Sequence, residues 1–163
     1  YDENSHSGSE YERMGDAAKI FAVLCATCNG VPLIYSGQEL PNKKRLKFFD
    51  KDVIDWNGNY ELHDFYKSLL RLHANNPAMR AGDSSVSTYR PKTTDGRIFS
   101  FVRKNGNDEV VVVLNLSPDN VHFKFTDDLA SGNFKNIFSG EQTDINQAVE
   151  FNLRAWSYYV FEK

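Results

Sequence analysis

Cysteine is scarce. The chain has two, Cys25 and Cys28, too few for a disulfide framework and, as one C-x-x-C pair, too few for a four-ligand zinc site. They lie inside an apolar helical run, without the exposed helix start that a redox pair needs, and read as two buried thiols. The four histidines, His6, His63, His73 and His122, have no partner at ligand spacing, so no metal or other cofactor is expected in this chain. Basic residues are not in excess. Nineteen Lys and Arg stand against 22 Asp and Glu, a net charge of −3, and the basic face that nucleic acid requires is lacking. The cluster at 43–47 reads as a solvated face. No apolar run nears the roughly 20 residues of a membrane-spanning helix, so no membrane partner is expected either. No internal repeat or low-complexity tract interrupts the sequence.

What is present is ordinary for a globular chain: 163 residues, 40% hydrophobic and 25% charged, enough to bury roughly 70% of the unfolded surface. The most informative stretch is Gly30-Val31-Pro32-Leu33-Ile34-Tyr35-Ser36-Gly37-Gln38-Glu39. Its mostly apolar positions 31–35 predict a strand buried on both faces, as in a parallel sheet. Tyr35, Gln38 and Glu39 then stand at the strand's C-terminal mouth, where α/β barrels place their working groups. They either frame an active site or serve only the structure of the loop.

Before this stretch, Ser9-Glu10-Tyr11-Glu12 is a capping box. It opens a helix over 9–28 that Asn29-Gly30 ends. From Ala17 to Cys28 that helix is apolar nearly all round, so it is expected to be buried against the second helix and the β region, or in a dimer. After the stretch, 40–59 reads as a polar loop in which Trp56 is more a core residue than a sugar-stacking one. Asn59 caps a second helix over 60–73, with Leu62, Phe65, Tyr66, Leu69, Leu70 and His73 at i, i+3, i+4 spacing. Asn75-Asn76-Pro77 stops it. Helix, link and strand make half of a βαβ unit, and a lone parallel strand leaves both edges unpaired. Residues 1–81 are therefore expected to be a slice of a larger α/β fold, with 1–8 a loop continuing from a longer chain.

After Gly82 the character changes. Strands are predicted over 85–90, 98–104, 109–115, 121–125, 134–138, 149–153 and 157–162. Between them come turn signals such as Asp95-Gly96, Asn105-Gly106-Asn107 and Ser117-Pro118-Asp119-Asn120. Seven short strands at this spacing predict an antiparallel β-sandwich over 82–163, with Trp156 in its core.

Several stretches together resemble one family, the α-amylase family of glycoside hydrolases (family 13). Asp2-Glu3-Asn4 resembles the end of its motif after the seventh barrel strand, and 30–39 resembles its eighth strand. Phe49-Asp50-Lys51-Asp52 through Ile54-Asp55-Trp56 is similar to the loop before its last barrel helix. Val111-Val112-Val113-Leu114-Asn115-Leu116-Ser117 and Ala155-Trp156-Ser157-Tyr158-Tyr159-Val160-Phe161 resemble strands of its C-terminal domain.

The resemblance implies the last segment of a (β/α)8 barrel followed by that β domain, from a retaining enzyme acting on α-glucans such as starch and maltooligosaccharides. Asp2 matches the family's third carboxylate, which stabilises the transition state. Tyr1, where the family usually has His, Glu3 and Asn4 fall at substrate contacts. The nucleophile and general acid would lie on earlier strands, so this chain alone is expected to be inactive and to pair with the missing barrel part, or with a second copy of itself. Calcium, common in the family, has its usual ligands on a domain outside this chain. Two alternatives stay open: a non-catalytic glucan-binding or interaction module, and a parent that transglycosylates or isomerises.

Overall fold

The computed structural model describes residues 9–47, 49–56, 58 and 60–163. The capping box at Ser9 forms. Glu12 N–H donates to Ser9 Oγ at 3.4 Å, and Ser9 N–H donates to Glu12 Oε2 at 2.8 Å. The helix it opens, α1 (Glu10–Met14), is short. Gly15 takes φ +50°, a conformation in which L side chains are strained, and a 3₁₀ turn over Gly15–Ala17 re-aims the chain into α2 (Ala18–Thr27). The single helix predicted over 9–28 is thus two helices joined at Gly15. The second helix, α3 (His63–Asn75), starts later than predicted, with no side-chain cap. Asn59, the predicted cap, lies outside the described residues.

Two expectations for this half are corrected. Residues 31–35 form no strand. They carry no regular secondary structure and join no sheet among the described residues, and Val31 and Leu33 are 81% and 77% exposed. Cys25 and Cys28 are exposed thiols, because α2 turns Ile20, Val23 and Ala26, and not the cysteines, toward the core.

Eight antiparallel strands follow. They are β1 (Ser87–Tyr89), β2 (Ile98–Asn105), β3 (Asp108–Asn115), β4 (Val121–Phe123), β5 (Gly132–Asn136), β6 (Gln142–Ile145), β7 (Phe151–Leu153) and β8 (Tyr158–Glu162). Six of them make one sheet in the order β1-β2-β3-β8-β5-β6, and β4 pairs with β7 in a second. The sequence reading missed β6. Its other strands fall where they were predicted, within a few residues.

The larger sheet is covered on both faces, which explains the unbroken apolar run of β3. On one face Phe101, Val110, Val112, Leu114 and Val160 meet Ile20, Val23, Leu69 and Leu72 of the helices. On the other Val102, Val111, Val113 and Phe161 meet Phe123, Phe151 and Leu153 of the smaller sheet. The apolar α2 therefore packs on α3 and the β region, as one of its two expected arrangements had it. Trp156 is half-buried against the helix-side core, whereas Trp56 is 52% exposed and belongs to no core. The described residues close no barrel, and none of their helices is long and apolar enough to cross a membrane.

Candidate functional site

The segment after 31–34 folds into a tight polar corner. Tyr35 N–H donates to Gln38 Oε1 at 3.1 Å, and Gln38 N–H returns to the Tyr35 carbonyl at 3.0 Å. Gly37 sits at φ +87°, and a Cβ there would come within 3.0 Å of Ile54 Cγ2. Only glycine fits both the backbone angle and the neighbour. Leu40 N–H closes the turn on the Gly37 carbonyl at 3.1 Å.

Two helices, α1 and α3, hold this corner and the segment before it from outside. The Tyr11 hydroxyl of α1 donates to the Gln38 carbonyl at 2.8 Å. Leu62 N–H, at the start of α3, donates to the Glu39 carbonyl at 3.1 Å. From the far end of α3, His73 Nε2 lies 2.9 Å from the Gly30 carbonyl, fixing the start of the segment. Gln38 is consequently buried, while Tyr35 keeps 38% of its surface exposed. Beyond the corner, Arg45 Nε donates to Glu12 Oε2 at 3.1 Å. The Glu12 carboxyl is held below its ordinary pKa, first by the Ser9 backbone N–H and then by Arg45.

Glu39 differs from Glu12. Its Oε2 is buried and accepts no hydrogen bond, which a carboxylate tolerates poorly unless a partner arrives. Of the predicted framing residues, Tyr35 and Gln38 are brought into direct contact, and Glu39 continues the same turn. Tyr1, Asp2, Glu3 and Asn4 lie outside the described residues. Among the described residues no group of three or more His, Cys, Asp or Glu is arranged to hold a metal ion. The corner can position a neighbouring loop and offer one unpaired carboxylate oxygen.

Sequence reasoning passed over two buried polar centres that shape the rest of the molecule. Arg103, on the helix-facing side of β2, donates to the Cys28 carbonyl at 2.8 Å and the Arg80 carbonyl at 3.0 Å, tying the end of α2 to the sheet. Asn115 organises the turns at the far end of β3. The signal for Arg103 was its place two residues after Phe101 on one face of a strand. That for Asn115 was a polar residue ending the most apolar strand.

Residues 92–160 match the family model described as the maltogenic amylase C-terminal domain. The maltogenic α-amylase of Bacillus acidopullulyticus is 24% identical over 158 residues, covering 95% of this chain and 26% of that protein. The α-amylase MalA of Haloarcula japonica is 32% identical over 108 residues, covering 64% of this chain and 15% of that protein. Among solved structures, a maltogenic α-amylase, AmyB, from Thermotoga neapolitana superposes with a TM-score of 0.73 at 16% identity, over 91% of this chain and 36% of that one. The maltogenic amylase of S. marinus gives 0.69 at 21% identity, over 97% and 21%. The chain spans between 10% and 26% of the length of the curated relatives it matches.

Proposed function

Since this chain is homologous to the α-amylase family of glycoside hydrolases, through its maltogenic amylase C-terminal domain, we propose that it is the C-terminal portion of a retaining enzyme acting on α-glucans. In this reading residues 1–81 are the last segment of a (β/α)8 catalytic barrel and 82–163 the β domain that follows. The observation that supports it most is the apolar segment 31–34, which joins no sheet among the described residues and exposes Val31 and Leu33, yet leads into a corner held by both α1 and α3. An apolar segment held open to solvent in this way is accounted for if strands of a longer chain cover it.

Retaining glycoside hydrolysis needs two carboxyl groups about 5–5.5 Å apart, a nucleophile and a general acid. In this reading they come from chain outside the present one. Asp2 supplies the third carboxylate, facing the positive charge that develops in the transition state, and Tyr1, Glu3 and Asn4 contact substrate. Tyr35, Gln38 and Glu39 frame the floor. The buried Glu39 Oε2 takes its hydrogen bond from a neighbouring loop of the completed barrel. This chain alone then has no catalytic pair and hydrolyses nothing.

The test is an assay of maltoheptaose with the 163-residue chain and with the product of the longer reading frame that contains it. The short chain is expected to release no reducing ends. The longer protein is expected to hydrolyse with retained anomeric configuration by NMR, and Asp2→Asn in it to lower kcat by about 10²-fold or more. An upstream frame encoding no carboxylate pair, or full activity in the Asp2→Asn protein, overturns the reading.

A further inference from the structure

A groove of about 590 Å³ opens where the helices meet the larger sheet, on a different set of residues from the 35–39 corner. Its size is that of a small-molecule site. Asp16 and Lys19 line it from the 3₁₀ turn and α2, Asp64 from α3, and Phe138, Trp156 and Tyr158 from the β region. We propose that this groove is an oligosaccharide-binding site whose occupant is an α-glucan chain, the sugar class resting on the function proposed above.

The chemistry of the lining carries the proposal. A pyranose ring presents apolar C–H faces and an equatorial rim of hydroxyls, so it is recognised by rigid aromatic surface beside unpaired polar groups. The aromatic surface is present and stiff. The Phe65 and Phe138 rings stack at 5.6 Å, and Tyr158 packs on Phe138 at 5.3 Å and on Phe65 at 6.0 Å. Phe138, Trp156 and Tyr158 each keep part of their surface exposed.

Unpaired polar groups are present too. Asp16, Lys19 and Asp64 are exposed, and among the described residues their side chains make no hydrogen bond or ion pair, unlike those of Glu12, Asp52, Asp83, Asp95, Glu109 and Glu150.

A third observation concerns how Trp156 is held. Its backbone sits at φ +52°, a region that a bulky residue occupies only where its surroundings over-determine it. Here they do. Trp156 N–H donates to the Ser117 carbonyl at 3.1 Å, Ala155 N–H to Asn120 Oδ1 at 3.1 Å, and Asn115 Nδ2 to the Arg154 carbonyl at 2.8 Å. Glycine would sit there without strain. The turn instead keeps an indole at the groove.

The experiment is a ¹H–¹⁵N titration of the 163-residue chain with maltoheptaose, read at the Trp156 indole N–H and at the amides of Lys19, Ser68 and Ser139, with cellotetraose as control. Saturable shifts confined to these positions are expected for maltoheptaose only. Trp156→Ala is expected to raise Kd about tenfold. If Trp156→Ala loses its cooperative melting transition, Lys19→Ala at an exposed helix position carries the same comparison. A flat titration of the folded chain, or shifts centred on Tyr35 and Gln38, overturns the site. Equal affinity for cellotetraose overturns the α-glucan assignment. An active longer protein whose groove binds nothing removes the groove alone, and a groove that binds within an inactive longer protein removes the proposed reaction alone.

Discussion

Asn115 is fully buried, and its Nδ2 faces three backbone carbonyls: Asp119 at 2.7 Å, Arg154 at 2.8 Å and Leu153 at 3.4 Å. Its Oδ1 accepts from the Ser117 hydroxyl at 2.7 Å. One amide thus pins two turns that otherwise meet through the Trp156 N–H bond to the Ser117 carbonyl and the Ala155 N–H bond to Asn120 Oδ1. Asn115→Ala removes the amide donor shared by those carbonyls and is expected to cost about 2–4 kcal/mol. Asn115→Asp is expected to cost more at neutral pH, because a carboxylate would then face the carbonyls. Burial among acceptors raises that carboxyl's folded pKa, so its deficit relative to wild type should shrink as pH falls from that raised value to the ordinary carboxylate range, and change no further below it. Urea titrations of all three proteins at pH 7 and pH 4 check this; an aspartate variant equal to the alanine one at both values would show that the donor is not what matters. Arg103 acts similarly at the other end of the helix layer. It is 1% exposed and spans the carbonyls of Thr27, Cys28 and Arg80 with a fork that lysine cannot reproduce. Arg103→Lys is expected to lower stability by about 1–3 kcal/mol in thermal unfolding.

At the level of elements, the loop 44–53 has a clasp of its own. Asp52 accepts from the Lys44 ammonium, from Lys47 N–H at 3.0 Å and from Val53 N–H at 2.8 Å, while Lys44 Nζ also donates to the Val53 carbonyl at 2.8 Å. The Lys44 side chain first, then the two amides, hold the Asp52 carboxyl at about 2, below its ordinary 3.8. A depressed carboxyl stabilises the fold above its unfolded pKa and stops doing so as pH falls through the folded value. The clasp should therefore stay closed to about pH 2. Amide shifts of Lys47 and Val53 should titrate there, and Asp52→Asn should abolish that transition; a midpoint near 3.8 would mean the clasp is not formed. What the sequence could reveal about elements followed their locality. The Ser9 capping box and the Asn105-Gly106 hairpin turn are written in adjacent residues and were legible. The break at Gly15 was not, since the apolar pattern runs on through it and its φ of +50° leaves no mark but a glycine. The strand β6 was missed because only Ile145 of its four residues is buried, so no alternation announces it.

For the molecule as a whole, the division into a helical half and an antiparallel β half was legible, because the hydrophobic period changes after Gly82. The burial of both faces of the larger sheet was not, since it depends on where α2 and α3 dock. The reading of 31–35 erred for the same reason: an apolar run states what a segment can bury, not whether a partner is there to cover it. That run now makes the boldest surface of this chain. Val31 and Leu33 are exposed, and beside them lies a groove of about 330 Å³ lined by Met14, Phe21, Cys25 and Leu70. Contiguous apolar surface of this kind is rare on a chain that stays monomeric. The 163-residue protein is accordingly expected to bind a hydrophobic dye and to self-associate with rising concentration in light scattering. A Val31→Lys, Leu33→Lys double variant should lose both behaviours, yet keep its melting transition, because neither side chain is packed. A monomer that binds no dye would mean that the segment folds back over the groove, and the case for strands completing a sheet beside it would lose its main physical support.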